Sequence, residues 1–248
     1  MKILIVSSSD VIFQSLAYNL FDKIQNVAEV VVVSEKANIS AIKILRQRIK
    51  KAGLVYGISQ FSFKIYDLFW LRRRITKSCR LKLSGKRLSS IPPLNSKEGR
   101  DVLRQGGFDV VIGLATSILR QETLIIPKLG FVNVHPGVLP HYRGTGNIWA
   151  IINKDWNNIG CTCHWMTSQI DVGKIIAVVR TKILFRDLWT INYDALTAGI
   201  NELAILIKEN KLIDTEVIVD EQQSGYYSWY GFRDYSVFLR HLRNYNKS

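Results

Sequence analysis

The chain opens on a continuous apolar run, Lys2 to Val6, of the kind a strand buried on both faces shows. Behind it Phe13, Leu16, Leu20 and Ile24 recur at the spacing of one helix face, and Ser9 or Asp10 stands where an N-cap belongs. Glu29 to Val33 returns to a β-branched run. Strand, helix, strand in this order predicts a parallel sheet with right-handed crossovers. Residues 37–87 break the rhythm. Ile42, Leu45 and Ile49 predict a basic amphipathic helix, and Phe61, Ile65, Leu68 and Phe69 a second one ending in Arg72-Arg73-Arg74.

The alternation resumes at 95. Asn95 with Glu98 makes a capping-box-like start, and Gly106-Gly107 a stop. A strand at Asp109 to Leu114, a short helix near Arg120 and a strand at Gly130 to Val134 follow. After a loop from His135 to Gly144 comes a helix from about Gly146 to Asn153. Strands are expected near Cys161 to Met166 and Lys174 to Leu184, then a helix from Thr190 to Lys208. The tail reads as a short strand (Glu216 to Val219), an aromatic patch (Tyr226, Tyr227, Trp229, Tyr230) and a last helix from about Asp234. The fold expected is α/β, a Rossmann-like, parallel-dominated sheet with a basic helical insertion. Its body spans 1–185, and a C-terminal helix and extension, 186–248, packs on it.

Composition changes this picture in two places. Three cysteines, Cys79, Cys161 and Cys163, are too few and too odd in number for a disulfide scaffold, which favours a reducing compartment. Asp10 interrupts the apolar start before a signal-peptide core could form, and no apolar stretch approaches the ~18 residues of a spanning helix. A soluble, cytoplasmic protein is expected. The net charge of +14 suggests nucleic acid until it is located: residues 43–87 hold fourteen Lys and Arg against one acid, Asp67. The remainder is balanced to within one charge. The segment can bind a polyphosphate substrate, lie on an anionic membrane through 61–74, or be a solvated insertion. Its charge alone gives RNA only non-specific, salt-sensitive binding, so no specific nucleic acid is expected.

The chemistry concentrates in Phe131-Val-Asn133-Val-His135-Pro136-Gly137-Val-Leu-Pro140-His-Tyr-Arg143-Gly144. Alternation points Asn133 and His135 to one face of a strand, at the end where such sheets place ligands. An amide donor beside an imidazole can hold a developing oxyanion and move a proton. The plainer reading has Asn133 satisfying a turn and His135 capping the strand. The second element is Ser168-Gln-Ile-Asp171-Val-Gly173, where Asp171 could orient a histidine or merely make an Asx-turn.

Together these elements resemble the 10-formyltetrahydrofolate-dependent formyltransferases, whose signature is Asn-x-His-Pro-(Ser/Gly)-x-Leu-Pro-x-(Tyr/Trp/Phe)-(Arg/Lys)-Gly followed by Asp-x-Gly. The resemblance covers residues 91–185, including Leu94-Asn95-Ser96 and Gly113 to Leu119. It implies a catalytic set of Asn133, His135 and Asp171, with Asp171 keeping His135 protonated and helping, through water, to deprotonate the attacking amine. It also implies a 10-formyltetrahydrofolate cosubstrate, no metal, and a pterin against main chain near Ala115, Thr116, Ser117, Ile118 and Leu119 and near Ser168, Gln169 and Ile170. His141, Tyr142 and Arg143 would face the acceptor.

The acceptor implied is a small anionic amine. The purine-pathway branch, acting on glycinamide ribonucleotide, carries a Gly-rich phosphate loop where this chain has Ser7-Ser8-Ser9-Asp10, and Asp10 would repel a phosphate. The initiator-tRNA branch carries a C-terminal nucleic-acid-binding domain for which the tail leaves little room. A nucleotide-linked amino sugar is therefore expected. The glycinamide-ribonucleotide type is the alternative, and a non-catalytic membrane- or nucleic-acid-binding protein is the rival of another class.

Weaker features have structural readings. In Cys161-Thr-Cys163-His164 alternation places the thiols on one face and His164 on the other, at a spacing short for zinc, so these are expected as core strand residues. Gly144-Thr-Gly146 follows no strand directly and lacks a third glycine, so it is no dinucleotide fingerprint. The tail aromatics cover the core or a homodimer contact, or put Trp229 or Tyr230 on a substrate base.

Overall fold

The computed structural model describes residues 1–36, 41–73, 75–77, 88–184, 187–220 and 224–245. Arg74 and Cys79 lie outside them. The first half of the chain forms β1 (Lys2–Ser8), α1 (Val11–Ile24), β2 (Glu29–Glu35), α2 (Ala41–Ala52), α3 (Leu54–Tyr66) and a π-helical turn, Asp67–Leu71. Then come β3 (Ser89–Ile91), α4 (Lys97–Gly106), β4 (Val110–Leu114), α5 (Gln121–Leu124) and β5 (Gly130–His135). The second half supplies β6 (Arg143–Gly144), α6 (Asn147–Ile152), β7 (Gly160–Trp165), β8 (Ile175–Arg180), α7 (Leu188–Lys208), β9 (Tyr226–Tyr227) and α8 (Phe232–Tyr245).

Seven strands make one sheet in the order β3-β2-β1-β4-β5-β7-β8. The first five run parallel, while β7 is antiparallel to β5 and β8 to β7. The chain works outward from β1 to β3 and returns to β4, so the β1–β4 boundary is the topological switch point, where such sheets open a crevice. Alternation sorts the core. Ile3, Ile5, Ile112, Val132, Val134, Cys161 and Cys163 pack on α1 and α7, while Leu4, Val6, Val111 and Phe131 pack on α4 and α5. Each such side chain, once buried, stabilises the fold by roughly 1.5–3 kcal/mol before entropy is counted. Asp10 caps α1 by accepting from Ile12 N at 2.9 Å.

Several expectations are corrected. Ser96, not Asn95, caps α4, accepting from Gly99 N at 3.0 Å. Asn95 instead ties down the loop after β4, donating to the Ile118 carbonyl at 2.7 Å and accepting from Arg120 N at 2.9 Å. Glu216 to Val219 is not a strand: Val217 N donates to the Ile175 carbonyl at 2.8 Å, and no ladder follows among the described residues. The three-residue β3 and the parallel ribbon β6–β9 are not readable from pattern.

The insertion turns the opposite way from its expected stripe. The inward face of α3 and its π turn is Gly57, Gln60, Phe63 and Asp67, while Ile65, Leu68 and Phe69 face outward. Gly57 sets this register, because a Cβ there would stand 2.7 Å from Ile49 Cα of α2. Phe63 meets Tyr230 and Phe232 of the tail edge-on, at centroid distances of 5.3 and 5.1 Å. Insertion, α6 and tail thereby share a third hydrophobic cluster, which includes Tyr142, Ile151 and Phe238. Among the described residues no helix is long and apolar enough to cross a membrane, and no His, Cys, Asp and Glu cluster could hold a metal.

Candidate active site

The antiparallel ladder between β5 and β7 places Asn133 opposite His164 and His135 opposite Thr162. With Val132 and Val134 committed to the α1–α7 face, Asn133, His135 and His164 share the other one. Asp171 reaches the same place from the β7–β8 loop, its own backbone in the left-handed region at φ 49°. Its Oδ2 accepts from Gly144 N at 2.8 Å and lies 3.5 Å from His135 Nδ1. Its Oδ1 lies 3.4 Å from Asn133 Nδ2 and 3.8 Å from His164 Nε2. Amide, imidazole and carboxylate converge.

The ring of His135 sits between two acceptors, the Asp171 carboxylate at Nδ1 and the Tyr142 carbonyl 2.9 Å from Nε2. Either ring nitrogen, when it carries a hydrogen, can donate to its neighbour. His164 faces one acceptor and one donor. Its Nδ1 donates to the Trp165 carbonyl at 3.0 Å, leaving the Nε2 lone pair for Asn133 Nδ2 at 3.2 Å. Burial first, and then the neighbouring His135, push its pKa down to about 4 against the opposing pull of Asp171. The two amide hydrogens of Asn133 thus meet His164 Nε2 at 3.2 Å and Asp171 Oδ1 at 3.4 Å, the longer contact being the one a ligand oxygen can replace. The following loop is locked by Thr162, whose hydroxyl donates to the Gly137 carbonyl at 2.8 Å and accepts from Leu139 N at 3.0 Å. Only glycine fits at 137, where a Cβ would come within 2.8 Å of His135 Nε2 and 2.9 Å of Gly146 Cα.

Of the expected pterin contacts, Ala115 turns the chain out of β4 at φ 56°, and Ser117 and Ile118 are exposed. Glu35 holds this loop, accepting from Ser117 N at 3.0 Å and Ser117 Oγ at 2.7 Å. Thr116 covers the Cα of Gly113 with its side chain, and Leu119 is buried in the core. Ser168 and Gln169 are exposed and Ile170 half-buried in the loop that carries Asp171. The expected acceptor contacts are placed differently. Tyr142 is buried, stacked on Tyr227 at 5.3 Å with its hydroxyl donating to Asp155 at 2.9 Å, so its side chain serves the tail's packing. Arg143 belongs to the β6–β9 ribbon, and His141 is half-buried beside it.

A cavity of about 430 Å³ opens instead at the switch point. Ser8 at the end of β1, Asp10 after it, Ala115 after β4, and Pro136 and Gly144 beside the expected catalytic set line its base. Lys64 and Arg72 of the insertion, Trp189 of α7, and Trp229 and Tyr230 of the tail close it. Asp10 is not the bare repelling charge expected: Arg72 pairs with it while lying 3.9 Å over the Trp189 ring. Burial and the adjacent Arg72 push the Lys64 ammonium's pKa down, with Asp67 at 3.5 Å opposing them. Sequence reasoning offered the basic segment for a polyphosphate without singling out Lys64 or Arg72, and it gave no role to Trp189, because nothing local announces that the insertion folds over the end of β1. It also missed His164, although the strand alternation that separates it from the thiols was legible.

A buried amide–imidazole–carboxylate set beside a switch-point crevice is the mark of an α/β group-transfer site. The formyl transferase family model matches residues 1–197, and the chain belongs to that family. Methionyl-tRNA formyltransferase of Thermotoga sp. (strain RQ2) is 36% identical over 83 residues, 33% of this chain and 26% of that relative. The chain thus spans about a quarter of that relative's length. A sugar N-formyltransferase from Shewanella sp. FDAARGOS_354 shares the fold at TM-score 0.57 and 21% identity, over 97% of this chain and 87% of that one. The N-formyltransferase from Helicobacter canadensis, solved with folinic acid and dTDP-3-aminofucose, superposes at TM-score 0.54 and 19% identity, over 94% and 72%.

Proposed function

We propose that this protein transfers the formyl group of 10-formyltetrahydrofolate to the amine of an anionic amino sugar, most simply one linked to a nucleotide. The convergence of Asn133, His135 and Asp171 carries the reading. The acceptor nitrogen attacks the formyl carbon and its electron pair forms the new C–N bond. The carbonyl oxygen takes up the negative charge, and Asn133 Nδ2, exchanging its contact with Asp171 Oδ1, and His135 Nε2, exchanging the Tyr142 carbonyl, donate to it. The bond to the folate nitrogen then breaks, and the proton lost by the amine ends on tetrahydrofolate, passed by way of Asp171. Donors fixed in advance at a developing oxyanion supply much of such a rate enhancement.

The folate fits the loops 115–118 and 168–170, the first of them tied by Glu35 and Asn95. Ile118, 65% exposed there, offers an apolar surface to a pterin. The acceptor fits the switch-point cavity. Its size is within the range of ligand pockets, ~300–1,000 Å³, its aromatic walls suit a base or sugar, and Lys64 and Arg72 suit a phosphate. The complex of the Helicobacter relative, with a formyl-folate and an amino-sugar nucleotide, points the same way.

The test incubates purified protein with formyl-labelled donor and a panel of amino-sugar nucleotides, glycinamide ribonucleotide and methionyl-tRNA. Label moving into a formamide of at least one amino-sugar nucleotide is expected. Transfer to glycinamide ribonucleotide or methionyl-tRNA alone overturns the acceptor assignment, and transfer to none of the three classes overturns the reading.

A further inference from the structure

The insertion has two faces, and the site uses one. Gly57, Gln60, Phe63 and Asp67 point inward, and Lys64 and Arg72 reach the cavity. On the far side Val55, Ile58, Ile65 and Phe69 follow one another at helical spacing, and Trp70 extends the row. Val55 is 83%, Phe69 71% and Trp70 66% exposed. An apolar row this exposed marks a surface that meets another apolar phase.

Charge identifies the cover. Arg46, Lys50 and Lys51 precede the apolar row and Arg73 and Lys77 follow it, all exposed. Asp67 is the one acid between residues 41 and 77, and it is buried against Trp189 and Arg72. Among the described residues of 41–77 the outward side is therefore apolar, with cations before and after it and no exposed carboxylate, and Asp234 of α8, half-buried at its edge, is held by the Tyr56 hydroxyl. Nucleic acid would answer the cations but leave the aliphatic and aromatic row in water. A second copy of this face would answer the row but bring like charges together.

We propose that this face lies on an anionic lipid bilayer. Ile58, Ile65, Phe69 and Trp70 enter the boundary between headgroups and acyl chains, and the flanking lysines and arginines meet lipid phosphates. Phenylalanine and tryptophan at its outer end are the residues that favour this boundary. The catalytic face stays clear, since the cavity lies across the helix.

Co-sedimentation with vesicles tests this, using phosphatidylcholine alone and a phosphatidylcholine–phosphatidylglycerol mixture. The full chain is expected to pellet with the mixed vesicles and to release as salt rises. Phe69→Ser with Trp70→Ser should weaken binding at least about tenfold. Neutralising Lys50, Lys51 and Arg73 to Gln should weaken it on the order of fivefold per charge. Both side chains of the serine pair already face water, so its thermal unfolding should match wild type. Trp70→Phe should keep binding yet reduce the quenching of protein fluorescence by brominated acyl chains. Failure to pellet overturns the proposal, as does equal binding by the serine pair. A dimer that the serine pair dissociates, or RNA binding without vesicle binding, assigns the face to those partners instead and equally overturns it.

Discussion

Replacing His164 with Asn removes a titrating group from the centre of the site, and the consequence can be worked out. Its ordinary value is 6.5, and burial holds it near 4 in the fold. Between those values the unfolded chain takes up a proton that the folded chain refuses. Stability therefore falls as pH drops through 6.5 and levels off below 4. At ~1.4 kcal/mol per unit, lowering the pH from about 7 to about 5 costs the wild type about 2 kcal/mol through this residue alone. The asparagine variant lacks this contribution. Urea unfolding of both proteins at the two pH values reads the difference, with the carboxylates, common to both, cancelling. The variant should also turn over more slowly at unchanged donor KM, because Asn133 loses the acceptor 3.2 Å away that fixes its amide. Equal pH dependence in the two proteins would refute the assignment of a buried, neutral His164.

Gly137→Ala should lower kcat on the order of 10²-fold or more, since its Cβ displaces His135 from the Tyr142 carbonyl; steady-state kinetics with the fold checked by circular dichroism would read it. Lys64→Met should raise the acceptor KM about tenfold or more with kcat little changed, a loss of ~1.5–3 kcal/mol expected of a charge-assisted contact, while a truncated acceptor without phosphate shows no difference. Phe238→Ala, fully buried and stacked on Tyr235 at 5.3 Å, should cost ~3–5 kcal/mol in urea unfolding. A loss well below that range would mean that α8 is not part of the cooperative core.

What was legible in the chain was whatever one segment settles by itself. The run from Lys2 to Val6 has no alternative to a buried strand, and Asp10 before Phe13, Leu16 and Leu20 has few alternatives to a capped helix. Asn133 and His135 declared a common face through the strand's period of two. Asp171 stood out because its loop completes a two-part motif. What remained hidden depends on neighbours. His164 gains its meaning only when β7 lies antiparallel to β5, a pairing that no local signal specifies. The outward turn of Ile65, Leu68 and Phe69 follows from Gly57 meeting Ile49, a contact between helices. Tyr142 sits in the motif loop, yet Tyr227, far along the chain, draws it into the packing. Glu216 to Val219 has the β-propensity of a strand and lies at the free edge of β8, yet it makes one bond there, Val217 N to the Ile175 carbonyl, and no ladder among the described residues.

The most direct measurement follows formyl transfer from labelled 10-formyltetrahydrofolate under single-turnover conditions in wild type and in Asn133→Ala, His135→Ala and Asp171→Asn. The account predicts release of tetrahydrofolate by wild type and a loss of ~10²- to 10⁴-fold in each variant, with thermal unfolding preserved. Release at the wild-type rate by the His135 or Asp171 variant would contradict it.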